Sequence, residues 1–412
     1  MNINKEDFVN LHGRSCFSLF DGFGFPQEHM DFAHGNGSKA LALTDHGSMN
    51  GLSYQLLRAK EMKAEGKDFK PIFGIEAYYI ESIDEWRVMK AEMSADKKRA
   101  KQIDTSKSAM VIEDEQRNDK RALSQKRHLV LLAQNQKGLE NIYEMVSKSY
   151  TGDYFYRKPR IDWAMLKKHS EGVIVLTACL GGIGAACMWE NQEAGEDVIV
   201  KSMADSFAKF KDTFGDRFYA ELQWNNIPEQ HLLNRCLIKV AKQLELKLVS
   251  TCDSHYPRPD AWKDREVYKR LGWLGKMPEW MDENIPSSVD EIGYELYPKN
   301  AHEMWESYKR YSNDLNIDYD DDLVLESITA TADIAFRQIE DFLPDTSIQL
   351  PSFMVPSDKS ADEALAELAD KALSVLLRGE TKTTKRQYRR RLDTELDVIS
   401  SQKFSEYFLA TK

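Results

Sequence analysis

The sequence predicts an α/β fold, an irregular seven-stranded (β/α) barrel followed by a mainly helical segment. Three observations predict it. From residue 8 to about 256, short apolar runs alternate with amphipathic stretches, the pattern of a largely parallel sheet covered by helices. Seven such runs occur, more than a small open sheet needs. From about residue 257 the strand signal stops and helical periodicity takes over.

The expected strands are Phe8–His12, Ala40–Thr44, Pro71–Ile80, His128–Ala133, Gly172–Thr177, Arg217–Gln223 and Lys247–Cys252. Most are rich in Val, Ile, Leu, Phe or Tyr, which suit a pleated, buried surface. Amphipathic stretches such as Gly51–Ala64 and Glu229–Leu244 lie between them. Residues 82–127 break the rhythm, being dense in Glu, Asp, Lys and Arg. They read as a solvated, partly helical insertion, with a charged loop guarding a site as the alternative. Later helices are expected at Ala301–Tyr311, Leu323–Ile339, Ala361–Leu377 and Lys385–Ser401. Pro344, Pro351 and Pro356 mark an extended connector, because proline removes a donor and fixes φ. The domain boundary is placed near 285, giving domains 1–285 and 286–412.

Composition narrows the class. The chain has 412 residues, 42% of them hydrophobic and 30% charged, as ordinary globular proteins do. It lacks eighteen consecutive apolar residues and an apolar run near Met1, so neither a membrane span nor a secretory leader is expected. Five cysteines without a Cys-x-x-Cys pair argue against a disulfide framework and fit a cytoplasmic location. The net charge of −11 counts against general affinity for nucleic acid, although binding is a local matter. One local exception is the basic run Lys382, Lys385, Arg386, Arg389, Arg390 and Arg391. It reads as a weak DNA-binding candidate or as a solvated helix face.

In a (β/α) barrel the functional groups sit on the loops that follow the strands. Here those positions hold His12 and Asp21, Thr44-Asp45-His46-Gly47, Glu76, Cys179, and Asp253-Ser254-His255. His128 begins its strand, which fits only if that strand is reversed. Imidazole, carboxylate and thiolate are the ligands of zinc and similar divalent ions. Singly, each residue has a plainer reading: Asp45-His46-Gly47 as a turn, Cys179 as a small buried hydrophobe. Together, their recurrence at strand ends points to a metal centre that hydrolyses phosphate esters. His29, His34, His169, His231 and His302 fall in helical patterns and are expected at the surface.

At these residues the chain resembles the opening of the bacterial replicative polymerase, the DNA polymerase III alpha subunit. That opening is its PHP (polymerase and histidinol phosphatase) domain. The resemblance rests on Phe8–Ser15, Ser18–Gly22, Ala42–Gly47, Lys70–Tyr78, His128–Ala133, Lys158–Asp162, Cys179–Gly182, Glu221–Gln223, Ile227–Gln230 and Asp253–Tyr256. It continues through Glu295–Tyr297, His302–Met304, Thr331–Ala335, Leu350–Phe353, Arg391–Ile399 and Phe404–Leu409, which look like the start of the palm region. The insertion at 82–127 has no clear counterpart in most of the family.

The resemblance implies a PHP barrel followed by an incomplete polymerase core. It also implies a metal-ligand set on His12, Asp21, His46, Glu76, His128, Cys179, Asp253 and His255. The ions would be Zn, Mn or Mg, with Asp21, Glu76, Asp253 and Arg14 as catalytic candidates. Arg14 stands where the family has the second His of a His-x-His pair; arginine stays protonated and cannot ligate a metal. Intact sites of this kind are linked to 3′–5′ exonuclease or phosphoesterase activity, and degenerate ones to scaffolding. The family's catalytic aspartates, which use Mg for polymerisation, lie beyond the Tyr407-Phe408-Leu409 motif. A shortened chain or one half of a split polymerase is therefore expected. The partners implied are DNA, a C-terminal polymerase portion, a proofreading exonuclease subunit and a sliding clamp. The alternatives are a metal-stabilised scaffold and a stand-alone PHP phosphoesterase.

Overall fold

The computed structural model describes residues 3–103, 122–273, 285–347, 353–355 and 358–411. Residues 104–121 of the 82–127 insertion, and Pro351 and Pro356 of the connector, fall outside these residues. The chain forms two compact units, Met1–Pro344 and Asp345–Lys412.

The first unit is built on eight strands: β1 Ala40–Leu43, β2 Lys70–Ile80, β3 Arg127–Ala133, β4 Phe155–Tyr156, β5 Lys158–Asp162, β6 Val173–Leu176, β7 Phe218–Gln223 and β8 Lys247–Thr251. They run in the order β4-β5-β2-β3-β6-β7-β8, and β1 also pairs with β2. Six of the seven expected strands are present. The first expected strand, Phe8–His12, is not a regular strand. It is an extended segment that closes the barrel bond by bond. Ala42 N donates to Asn10 O, Thr44 N to Gly13 O, and Arg14 N to Ser254 O. Each of these contacts ties it to either the β1 or the β8 side.

β3 is antiparallel to both β2 and β6. The start of β3 therefore lies at the same barrel mouth as the ends of its neighbours, which puts His128 there. The β4–β5 hairpin was not anticipated among the strands, since Lys158-Pro159-Arg160 carries charge and a proline. Proline is tolerated near strand starts and edges, and Arg160 is fully buried.

Alternation splits the apolar residues between two cores. Val9, Leu11, Ala40, Ala42, Ile72, Val130, Leu132, Ile174, Leu176, Tyr219 and Val249 form one cluster inside the barrel. Their neighbours along the strands, such as Phe73, Leu129, Leu131, Val175 and Ala220, pack outwards against helices. Ile334, Ala335 and Ile339 join the inner cluster. Ile334 and Ala335 belong to the π turn Ile334–Gln338 that follows the helix Asp321–Asp333, and Ile339 caps it. Thr331 Oγ1 accepts from Val9 N at 3.0 Å, and Lys70 Nζ donates to the carbonyls of Ala335 and Ile339. The compact unit thus runs past residue 285, because this stretch plugs the barrel.

Two of the helical histidines expected at the surface, His29 and His231, are fully buried, and His169 is nearly so. Each of the first two satisfies a ring nitrogen internally, His29 on Phe23 O and His231 on Asn225 O and Tyr319 Oη. The second unit consists of helices Ala361–Leu376, Lys382–Ser401 and Ser405–Ala410.

Candidate metal centre

Two tight backbone approaches shape the barrel mouth. A Cβ on Gly13 would lie 2.4 Å from Ser254 Oγ, so only glycine lets the first segment lie against the end of β8. Gly47 has φ of +62°, and a Cβ there would lie 2.8 Å from Pro159. The turn after β1 is thereby seated against β5.

All nine residues singled out from the sequence meet at this mouth. Glu76, fully buried, is the hub. Its Oε2 lies 3.0 Å from His12 Nε2 and 3.4 Å from His46 Nδ1. Its Oε1 lies 2.8 Å from His128 Nδ1. Asp253 Oδ1 lies 3.2 Å from His12 Nε2, and Asp21 Oδ2 lies 3.2 Å from His46 Nε2. Cys179 Sγ lies 3.7 Å from His128 Nδ1. His255 Nδ1 donates to the carbonyl of Asp253 at 2.5 Å, leaving Nε2 free to accept.

Arg14 runs through the middle of this group. It donates to Asp21 Oδ2 at 2.6 Å and, through Nε, to Glu76 Oε2 at 2.8 Å. Nη2 lies 2.7 Å from Glu76 Oε2 and 3.1 Å from Asp253 Oδ1. Nη1 also meets His255 Nε2. One buried guanidinium thus spans Asp21, Glu76, Asp253 and His255.

That charge sets the protonation of its neighbours. Burial, followed by Arg14, pushes His46 down to about 4 and His255 down to about 3. Both rings are pushed towards the neutral form. For Glu76, burial opposes ionisation, but Arg14 and the surrounding histidines hold it well below the usual carboxylate range. Asp21 is likewise held low against burial, first by His255 and then by Arg14, His46 and Arg265.

Several residues were given no supporting role from the sequence. Glu221 Oε1 accepts from His12 Nδ1 at 2.7 Å and also from Thr251 Oγ1 and Gln223 Nε2. Asp45 accepts from Ser15 N, Ser15 Oγ and Ser18 Oγ, and so locks the loop that carries Arg14 and Asp21. Arg265 donates to Asp21 Oδ1 at 2.8 Å. Tyr78 stacks on His46, with ring centroids 5.2 Å apart and an interplanar angle of 9°. The signal for Glu221 was its place near the end of β7, where an inward carboxylate faces the mouth.

The donors fit a divalent ion at two places. His46, Glu76 and His128 form one triad and His12, Glu76 and Asp253 another, each with ligand atoms within 4.8 Å of one another. Among the described residues, buried His12 Nε2, His46 Nδ1 and Asp253 Oδ1 lie close to charged neighbours but make no hydrogen bond of good geometry. Such orphaned buried groups are rare in folded proteins and call for a ligand. Arg14 occupies the Asp21–His255 side and also contacts Glu76 and Asp253 of the triads.

In the second unit, Lys385, Arg386, Arg389, Arg390 and Arg391 are exposed on the helix Lys382–Ser401. Arg389 pairs with Asp370 and Arg391 with Glu395. Phe404, Tyr407 and Phe408 are also exposed, while Leu409 is buried. Among the described residues, no helix is long and apolar enough to cross a membrane.

A barrel whose mouth gathers imidazoles and carboxylates from many strand ends defines a class, and the PHP domain model matches residues 10–225. The chain belongs to the PHP domain family. Over 98% of its length it is 35% identical to the DNA polymerase III subunit alpha of Aquifex aeolicus (strain VF5), covering 31% of that protein. The subunits of Campylobacter jejuni and Borreliella burgdorferi are 28% and 29% identical over 98% of the chain, each covered to 30%. The chain therefore spans about a third of the length of these relatives. Among solved structures, a putative metal-dependent phosphoesterase from Bifidobacterium adolescentis is 16% identical with a TM-score of 0.28, covering 73% of this chain and 96% of the other. An amidohydrolase from Chromobacterium violaceum is 14% identical with a TM-score of 0.32, covering 63% of this chain and 96% of the other.

Proposed function

We propose that the chain serves DNA replication as part of a DNA polymerase III alpha-type polypeptide, and that its barrel mouth cleaves phosphodiesters, as a 3′–5′ exonuclease or phosphoesterase would. The observation that carries the second half is the convergence of His12, His46, Glu76, His128 and Asp253, with three of their buried atoms making no hydrogen bond among the described residues. A Zn, Mn or Mg ion held by the His46–Glu76–His128 or His12–Glu76–Asp253 triad would supply Lewis-acid polarisation and an activated water. The chain's own groups do the rest. Glu221 fixes the His12 tautomer so that Nε2 faces the pocket. Arg14 presents a permanent positive charge that braces an anionic phosphate oxygen. Neutral His255 has no proton on Nε2 and keeps the guanidinium aimed inwards.

We assign residues 1–285 to the PHP domain and 286–412 to the start of a palm region. On this reading the polymerase chemistry, with its Mg, belongs to a C-terminal polymerase portion. DNA, a proofreading exonuclease subunit and a sliding clamp are its partners in the cytoplasm. The relatives named DNA polymerase III subunit alpha support this assignment.

Arg14 favours a second reading. A guanidinium that already neutralises Asp21, Glu76 and Asp253 lets the pocket hold together as a scaffold without chemistry. Elemental analysis of the purified chain, with a 3′-labelled primer incubated in Mn²⁺ or Zn²⁺, separates the two. Bound metal and cleavage lost in Asp253→Ala support hydrolysis. No metal and no Asp253-dependent cleavage leave the scaffold.

A further inference from the structure

The sheet brings two lysines to one ring beside the pocket. Tyr78 on β2 pairs with His128 of β3 on one side and with Arg160 of β5 on the other. Lys126, just before β3, and Lys158, the first residue of β5, therefore flank β2 from opposite sides. Lys126 Nζ lies over the Tyr78 ring at 5.2 Å from its centroid, and Lys158 Nζ at 5.5 Å. The same ring stacks on His46 and meets His128 edge-on at 5.6 Å.

Among the described residues, neither ammonium has a carboxylate within ion-pair distance, although most cations near the pocket do. Lys126 is also partly buried. Two like charges on one ring repel each other, and a polarisable ring face compensates them only in part. The seating of Gly47 against Pro159 and Tyr78 fixes Lys158 relative to His46. Among the described residues no carboxylate answers these two ammonium groups, and the ring they share stacks on His46 of the candidate metal centre.

We propose that Lys126 and Lys158 form a second phosphate subsite, which binds the phosphodiester next to the scissile one and selects a single-stranded nucleic acid over a phosphate monoester. The inference rests on the reading of the pocket as a phosphodiester site. In a chain of net charge −11, a strand is held by local cations or not at all.

The test reads binding without turnover. A fluorescein-labelled oligothymidylate of about ten nucleotides is titrated with the full chain in EDTA, by anisotropy, over a range of salt. Each phosphate contact on a single strand contributes about 0.7 to the slope of log K against log salt. Lys126→Gln/Lys158→Gln, which removes that one phosphate contact, is expected to weaken binding and lower the slope by about 0.7. Lys126→Arg/Lys158→Arg, which keeps both charges, is expected to retain it. An equal slope in the Gln variant, or no binding by the unmodified chain at low salt, overturns the proposal. Cleavage dependent on Asp253 with an unchanged slope sinks only the subsite. A lost slope without any cleavage sinks only the hydrolytic reading.

Discussion

Arg14 Nη2 lies 2.7 Å from Glu76 Oε2, and Glu76 is the carboxylate shared by both candidate metal triads. A side chain that cannot ligate is thus bonded to the one ligand that neither triad can spare. Arg14 has become the resident cation of a site whose other residues retain ligating types.

Removing that cation leaves buried carboxylates unpaired. Breaking a buried ion pair by deleting one partner costs about 3–5 kcal/mol. Arg14→Met is therefore expected to lower the urea midpoint markedly when measured in EDTA. Added Mn²⁺ or Zn²⁺ should recover part of the loss, since an ion can replace the charge. A midpoint equal to the parent's in EDTA would show that Arg14 does not hold the pocket together.

Arg14→His places an imidazole in a crowded pocket without a fixed charge. The variant is expected to retain more divalent metal per chain than the parent after gel filtration, read by elemental analysis. Equal metal content in both would mean that the guanidinium is not what limits occupancy.

Glu221 acts on the pocket through His12, whose Nδ1 it engages at 2.7 Å. Outer partners of this kind are worth about 10- to 100-fold in metal affinity. Glu221→Gln should weaken metal binding by that order, as read by competition with a chromogenic chelator. Unchanged affinity would place His12 outside the ligand set.

Arg160 is fully buried and donates to the carbonyls of Asp153, Tyr154 and Leu123. Its guanidinium also lies over Trp86, 4.1 Å from the ring centroid. It therefore ties the β4–β5 hairpin to both ends of the charged insertion. Arg160→Lys cannot reproduce a planar fork stacked on an aromatic face. Unsatisfied buried acceptors cost about 1–3 kcal/mol each. Hydrogen exchange in the helix Ile83–Ile103 is expected to quicken in the variant, while β7 and β8 stay protected.

His29 makes the acid limb of stability steeper. Burial pushes it down to about 4 from an ordinary value of 6.5. Between those values the unfolded chain binds the proton and the folded chain does not. Stability therefore falls as pH drops from 6.5 to about 4, and this contribution levels off below. The slope reaches about 1.4 kcal/mol per pH unit. His29→Gln, which can still donate to Phe23 O, should flatten that window in urea melts. An unaltered pH profile would mean that His29 titrates alike in the folded and unfolded chain.

Much of the barrel and its mouth was legible in advance. Strand runs such as Pro71–Ile80 and Arg217–Gln223 are apolar enough to announce themselves, and β2 and β7 lie within a residue of them. Ligating side chains stood at the strand ends because that is where a barrel places its loops. His128 looked misplaced until β3 proved antiparallel, since direction is decided by pairing partners and not by the strand's own residues. The buried state of His29 and His231 was illegible for a similar reason. A helical pattern shows that a residue has a face, but not what another element lays over it.

The sequence by itself determined the order of elements, the family and the set of residues able to hold a cation. Those depend on local periodicity and on side-chain chemistry, which each residue carries with it. Only the tertiary structure decided that Arg14 reaches Asp21, Glu76, Asp253 and His255 at once. It alone also decided that Glu221 stands behind His12, and that Lys126 and Lys158 share one ring. These contacts join residues far apart in the chain, and their distances follow from how the strands pair and close.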